Sequence, residues 1–412
     1  MRACVDFGFR FEQRRTTSVH LLCRRSYRHD EAMGRTVLIL ISMLLHGYVG
    51  LRLIPPLAGL PAAGSALGVL LAASALLLPF SLIGRSLRWP SARTALAWSG
   101  MLAMGLFSSL FVLTVLRDAL LLMSSALAVL WPRALELDGV VKTTAWAVLT
   151  AAATVTVLGA GNARRTAAVV RVDVPVHGLP EALHGFTIAQ ISDIHVGPTI
   201  RGGYLQAIVD RVNRLEADMV AVTGDLVDGS VAELAAHVAP LATLRSRHGT
   251  FFVTGNHEYY SGAQAWIAEL RRLDVRVLLN EHVVLRHDGN DVVVAGVTDH
   301  SAHHFDIGHR SDPQASVLGA PIGAALRLLL AHQPRSALAA VGLGFHLQLS
   351  GHTHGGQFWP WNLFVRLQQP FTAGLHRLRD LWIYTSRGTG YWGPPKRFGA
   401  PSEITHLRMV RA

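Results

Sequence analysis

Five apolar runs of strand character recur in the second half of this chain, and each ends at once on a short polar block. The runs are residues 186–192, 219–223, 250–254, 326–331 and 346–350. The blocks after them are Asp193-Ile194-His195, Gly224-Asp225, Gly255-Asn256-His257-Glu258, His332 and Gly351-His352-Thr353-His354. Between the runs, residues 204–215, 231–244 and 263–273 repeat apolar side chains at three- and four-residue spacing, the period of a helix with one buried face. Strands interleaved with helices predict an α/β fold, and such folds bind ligands beyond the carboxyl ends of their strands. The five blocks are therefore expected together on one rim of a sheet.

What they bring there is a set of oxygen and imidazole donors: Asp193, His195, Asp225, Asn256, His332, His352 and His354. Seven such groups are enough for two divalent cations. A carboxylate can span two cations about 3.5–4 Å apart, which an imidazole or amide does less well, so a carboxylate is expected between them. A metal centre of this kind lowers the pKa of bound water from about 15.7 towards about 7 and polarises phosphoryl oxygens, which is the chemistry of phosphate-ester cleavage. With no sulfur among the donors, manganese, iron and zinc all remain open. Taken singly, each block also reads as ordinary turn and cap chemistry. Their joint occurrence, each at a strand end, is what turns is into a site.

The blocks and their order resemble the calcineurin-like metallophosphoesterase superfamily. Within it, Thr223-Gly224-Asp225-Leu226-Val227-Asp228, Gly351-His352-Thr353-His354-Gly355-Gly356-Gln357, Ser386-Arg387-Gly388 and Arg397-Phe398-Gly399 resemble a membrane-anchored branch of bacterial phosphodiesterases and animal transmembrane proteins. The resemblance covers the chain from about Pro175 to the end and implies a four-layer α/β/β/α sandwich. It implies that Asp193, His195 and His354 hold a first metal, that Asn256, His332 and His352 hold a second, and that Asp225 bridges them. It also implies that His257 faces the substrate, to protonate the leaving group or stabilise the phosphoryl group. Asp228 is expected to orient a metal-bound histidine, or else to cap the next turn. Arg387, after the apolar run 381–385, is expected near the same rim, where it could grip a phosphate with two N–H groups. His303 and His304 read as a solvated turn, and His237, His248, His282 and His287 as surface residues.

The first half is different in kind. The chain is 50% hydrophobic, with mean hydropathy +0.32, and the excess lies before residue 162. Residues 62–83 and 95–116 are uncharged and long enough to cross a hydrocarbon core of about 30 Å, for which about 20 residues suffice. Residues 37–54 and 143–161 are similar in length, the first carrying His46 and Arg52. Residues 119–131 read as a continuation of the third helix or as an interfacial helix, because Arg117 and Asp118 set them off. The expected organisation is an Arg-rich, disordered segment over 1–36, about four transmembrane helices over 37–161, a linker over 162–174 and a phosphoesterase domain over 175–412. Arg24, Arg25, Arg28 and Arg35 precede the first span, Arg85, Arg88 and Arg93 lie between the second and third, and Arg164, Arg165 and Arg171 follow the fourth. That asymmetry predicts a multi-pass cell-membrane protein with its catalytic domain on the cytoplasmic face, and a fifth crossing would reverse the side.

The net charge of +11 is partly explained by acidic lipid headgroups beside these spans. Lys396 and Arg397, with Arg366, Arg377 and Arg379, are expected to border the active site and attract anionic substrates. No helix-turn-helix, zinc-finger or aromatic nucleic-acid signature accompanies them, so nucleic acid is not an expected partner. The only cysteines, Cys4 and Cys23, lie before the first span, which leaves the catalytic domain without a disulfide. Trp359, Trp361, Phe364 and Phe371 follow the last candidate ligand and could receive acyl chains or pack the core. The expected activity is hydrolysis of a phosphodiester or pyrophosphate bond, by a hydroxide held between two cations, on a lipid-linked substrate. The alternatives are a nuclease or cyclic-nucleotide phosphodiesterase, and a non-enzymatic metal-binding membrane scaffold.

Overall fold

The computed structural model describes residues 16–83, 90–130 and 137–412. They divide into two compact units, the boundary falling after Ala152.

In the N-terminal unit the apolar runs become helices: α1 (Thr16–Leu53), α2 (Pro61–Ile83), α3 (Pro90–Leu130) and the first half of α4 (Leu137–Arg164). Among the described residues four helices, over Thr36–Leu57, Pro61–Phe80, Ser91–Leu130 and Asp138–Arg164, are long and apolar enough to cross a membrane. Residues 119–130 continue α3 without a break, so the alternative of a separate interfacial helix is not taken. Arg117 and Asp118 fit inside it because each finds partners. Arg117 donates to Thr144 Oγ1 at 3.1 Å and the Val141 carbonyl at 3.0 Å, while Asp118 accepts from Arg52 Nε at 2.8 Å and Tyr48 Oη at 2.7 Å. His46 is likewise buried, its ring nitrogens 2.7 Å from the Ser42 carbonyl and 2.9 Å from Ser74 Oγ. Disorder was expected over residues 1–36; α1 begins at Thr16, and residues 1–15 lie outside the described residues.

The C-terminal unit holds two six-stranded sheets. The first is ordered β1 (Ala168–Val176), β12 (Glu403–Arg411), β2 (Thr187–Ile191), β3 (Met219–Val222), β4 (Thr250–Phe252) and β5 (Arg276–Val277). The second is ordered β10 (Gly374–Leu378), β11 (Leu381–Thr385), β9 (Leu347–Ser350), β8 (Leu326–Leu330), β7 (Asn290–Gly296) and β6 (Glu281–His287). Strands β2, β3 and β4 pair in parallel, as do β7, β8 and β9. β6 and β7 form a hairpin over Asp288 (φ 44°) and Gly289 (φ 82°), the two consecutive positive φ values that an Asp-Gly turn accommodates.

Side chains alternate across a strand, and β3 shows what each face is for. Met219 and Ala221 point between the sheets, where they join Ile188, Leu328 and Leu349 in one core. Val220 and Val222 point outward onto α5 (Gly202–Asn213) and α8 (Ala263–Arg272), meeting Ile208, Ile267 and the fully buried Trp266. Beyond the second sheet, Leu329 and Ile383 pack on Ala337 and Ala340 of the one-turn α10 (Ala337–Ala340). Helix, sheet, sheet, helix is the four-layer order expected. One detail differs: the candidate ligands were expected on the rim of one sheet, and they come from the rims of two. β2, β3 and β4 belong to the first sheet, β8 and β9 to the second. A run of apolar residues specifies a strand but carries no mark of which sheet receives it.

Candidate metal centre

Three of the five strands that carry candidate ligands, β2, β3 and β9, end in left-handed backbone. Asp193, His195, Asp225, His352 and His354 have φ of 53°, 57°, 51°, 70° and 52°. Five of the seven candidate ligands thus sit in left-handed backbone, where side chains other than glycine are strained. The crowding also explains two glycines. A Cβ on Gly255 would lie 2.2 Å from Asp225 Oδ1, and one on Gly351 would lie 2.1 Å from Asp193 Oδ2.

The donor atoms gather in two groups, Asp193 with His195 and His354, and Asp225 with His332 and His352, and a third group of His195, Asp225 and His257 links them. In the first, His354 Nε2 lies 3.1 Å from His195 Nε2 and 3.5 Å from Asp193 Oδ1, and His195 Nε2 lies 3.9 Å from Asp225 Oδ2. In the second, His332 Nε2 lies 3.2 Å from Asp225 Oδ2 and 3.2 Å from His352 Nδ1. Donors about 2.1 Å from a common cation, at tetrahedral to octahedral angles, stand about 3.0–3.4 Å apart, so the closest of these separations match edges of a coordination shell. A second observation supports the same fit: the Oδ1 of Asn256 is buried without a hydrogen-bond partner, an orphaned oxygen that a cation would satisfy. The donors present therefore fit divalent metal.

Surrounding groups fix the imidazoles. His332 Nδ1 is 2.7 Å from the Thr223 carbonyl, to which it donates, and this leaves Nε2 as the nitrogen that faces Asp225. Asp228 Oδ1 is shared by His195 Nδ1 at 3.0 Å and His257 Nδ1 at 2.6 Å. It thus holds one candidate ligand and the candidate acid together. Burial would raise the Asp225 carboxyl, but His332 outweighs it and holds Asp225 well below the usual carboxylate range. The same ion pair holds His332 above its ordinary value despite burial. Burial lowers His352 to about 4 and, with Arg397 beside it, lowers His354 as well, so both rings offer lone pairs at neutral pH. His257 is pushed up to about 9, because Asp228 and Asp225 override the effect of burial.

Two organising residues escaped the sequence reading. Buried Glu258 accepts from the backbone N–H groups of Gly255 (2.6 Å), Leu226 (2.8 Å) and Asp225 (3.0 Å), clamping the second and third ligand loops together. Its place three residues after an N-cap was the available signal, since that is the capping-box position. Arg397 is the other. Lys396 and Arg397 were expected to border the site as surface cations, yet both are 1% exposed. The Arg397 donors face carbonyl groups instead: Nη1 reaches those of Arg387 at 2.7 Å and His354 at 2.9 Å.

Arg387 itself is part-buried and gives Nη1 to Glu403 at 2.8 Å. His303 and His304 lie exposed in a short 3₁₀ turn, as expected. His287, read as a surface residue, is buried edge-on against Phe186; the sequence around it alternates as a strand does, and it falls on the inner face. Trp361 and Phe364 are exposed, while Phe371 packs on the outer core of the second sheet. Three exposed aromatics form a chain at His257: Tyr260 and Trp392 lie 5.2 and 5.7 Å from its ring, and Phe305 lies 5.4 Å from Tyr260.

A family model described as calcineurin-like phosphoesterase matches residues 186–356, which include all seven candidate ligands. A transmembrane protein with metallophosphoesterase domain from Bos taurus is 42% identical over 268 residues, 62% of this chain. The chain spans only 60% of that relative's length. An uncharacterized metallophosphoesterase from Aquifex aeolicus is 34% identical over 219 residues, 53% of this chain and 82% of that protein. Among solved structures, a putative 5'-nucleotidase from Staphylococcus aureus aligns over 55% of this chain and 54% of its own, with 14% identity and a TM-score of 0.36. With most of the Aquifex protein covered at that identity, and with the matched segment carrying the whole donor set, the chain belongs to the calcineurin-like phosphoesterase family.

Proposed function

We propose that this protein is a membrane-anchored, metal-dependent phosphoesterase that cleaves a phosphodiester or pyrophosphate bond in a lipid-linked substrate. The observation that carries the hydrolytic reading is the set of donor groups that overlap at His195 and Asp225, together with the buried, orphaned Asn256 oxygen. Asp193, His195, His354 and Asp225 would hold one divalent cation, and Asp225, Asn256, His332 and His352 the other. When bound, two such ions supply an acidified water and charge neutralisation at the phosphoryl oxygens. His257 keeps its proton at neutral pH and gives it to the departing oxygen, while Asp228 holds the ring in place for that transfer.

The lipid-linked part of the reading rests on the segment that follows His354. In α11 (Trp361–Phe364) and the turn after it, Trp361, Leu363, Phe364 and Leu367 are 43%, 60%, 52% and 84% exposed. This apolar group lies beside Phe358, which bridges to Phe398, and Arg397 next to it bonds to the end of α4. Such a surface near the last membrane-crossing helix suits acyl or isoprenoid chains.

The test is a substrate screen with the manganese-loaded protein in nanodiscs. A lipid-linked pyrophosphate or lipid phosphodiester is expected to turn over faster than its short-chain analogue, and Trp361→Ser with Phe364→Ser to raise KM for the lipid form alone. Faster turnover of cyclic nucleotides or single-stranded DNA would sink the lipid reading. One observation favours that second reading: Tyr260 and Trp392 beside His257 could stack on a nucleobase.

The charge asymmetry further supports four crossings with the catalytic unit in the cytoplasm. A phosphatase-type reporter that is active only outside the cytoplasm, fused after Ala412, should be silent. A strong signal from it would reverse the orientation.

A further inference from the structure

The end of α4 is joined to the metal centre through a two-residue relay. Its last turns, from Ala153 onward, belong to the same compact unit as the phosphoesterase fold. The Gly159 carbonyl accepts from Arg397 N at 2.9 Å, Asn162 Nδ2 donates to the Arg397 carbonyl at 3.2 Å, and Lys396 Nζ reaches Thr156 Oγ1 at 3.3 Å. The helix can come this close because residue 159 has no side chain: a Cβ there would stand 2.7 Å from Lys396 Cγ. Gly161, two residues on, has nothing within 4 Å of the same position.

Held in this way at its main chain, Arg397 turns a fully buried guanidinium towards His354. Nη1 donates to the carbonyls of His354, Arg387 and Ala400, at 2.9, 2.7 and 3.3 Å, and Nε donates to the Gly390 carbonyl at 3.0 Å. Nη2 faces both the Gly390 carbonyl and His354 Nδ1. A guanidinium has only donors, so carbonyls are its natural partners, and its grip on the His354 main chain persists whichever ring nitrogen carries hydrogen. His354 is one of the residues in left-handed backbone, a conformation that lasts only where neighbours enforce it. Arg397 and the Gln357 N–H, which also donates to the His354 carbonyl at 2.9 Å, enforce it from the main-chain side.

We propose that Arg397 is a positioning residue for the metal centre and that α4 holds Arg397 in place, so that metal affinity depends on how the last membrane-crossing helix is seated. The proposal rests on the reading of His354 as a metal ligand. It makes the helix a working part of the centre as well as an anchor.

The experiment is a manganese titration of the full chain in nanodiscs, followed by electron paramagnetic resonance and calorimetry, with no substrate present. Gly159→Val and Arg397→Lys are expected to weaken manganese binding about 10- to 100-fold, the usual effect of losing a group that orients a ligand, and to broaden the spectrum. Gly161→Val makes the same chemical change in the same helix and is expected to bind like the parent. Asn162→Ala, which removes one hydrogen bond, is expected to weaken binding about fivefold. Parent-like affinity in a folded Gly159→Val protein overturns the proposal, and so does equal weakening by Gly161→Val. Should Gly159→Val fail to fold, Asn162→Ala decides alone, and affinity within twofold of the parent overturns it. If the parent itself binds no manganese, the metal reading fails, and the relay falls with it.

Discussion

Asp225→Asn is expected to lower phosphoester turnover about a thousandfold, equivalent to about 4 kcal/mol of transition-state stabilisation. The substitution leaves size and shape almost unchanged, so the loss comes from charge. Asp225 Oδ2 lies 3.2 Å from His332 Nε2 and 3.9 Å from His195 Nε2, and so faces one histidine of each group. An amide there has one oxygen, no negative charge, and an N–H₂ group that would point at a cation. Metal analysis of the purified variant should show less than the parent's content. Near-normal turnover with full metal occupancy would mean that Asp225 does not join the two sites.

His257→Ala should retain metal and still lose turnover, by about 10²–10⁴-fold, the range general acids contribute. The ring bonds to Asp228 and lies against His195, Tyr260 and Trp392, and its removal leaves the seven donors in place. The pH profile sharpens the test. His257 is raised to about 9, so it stays protonated below that value and loses its proton as pH rises through it; bound cations would move this limb lower. The parent should therefore lose rate on the alkaline side, at or below about pH 9. In the alanine variant that limb should vanish. A variant that keeps the same alkaline limb would assign it to another group, and one that loses its metal would make His257 a ligand.

Much of the candidate site could be read before any fold was known, because strand ends announce themselves. Asp193, Asp225, Asn256, His332, His352 and His354 each follow a run whose period and composition mark a strand, and a strand's carboxyl end is where the fold exposes side chains. What escaped depended on contacts across long stretches of chain. That Asp228 would orient a histidine was expected; its sharing between His195 and His257, 33 and 29 residues away, was not, because no spacing rule links the three. Arg397 lies 43 residues beyond His354, and two adjacent cations near a chain end read most simply as a surface patch. The division of the candidate ligands between two sheets was hidden for a related reason: β8 reads as a strand just as β3 does, and its pairing with β7 and β9 is what commits it to the second layer.

The left-handed turns at the rim have a thermodynamic side. At about 1 kcal/mol apiece, five contorted residues store about 5 kcal/mol, comparable with the whole margin by which many domains stay folded. That tension is borne by the interleaved layers behind it, in the aliphatic seam between the two sheets that Met219, Ala221, Leu328 and Leu330 help to fill. Substitutions that thin the seam, far from any donor atom, would slacken the rim first, and such a protein could keep its architecture while forfeiting its grip on ions.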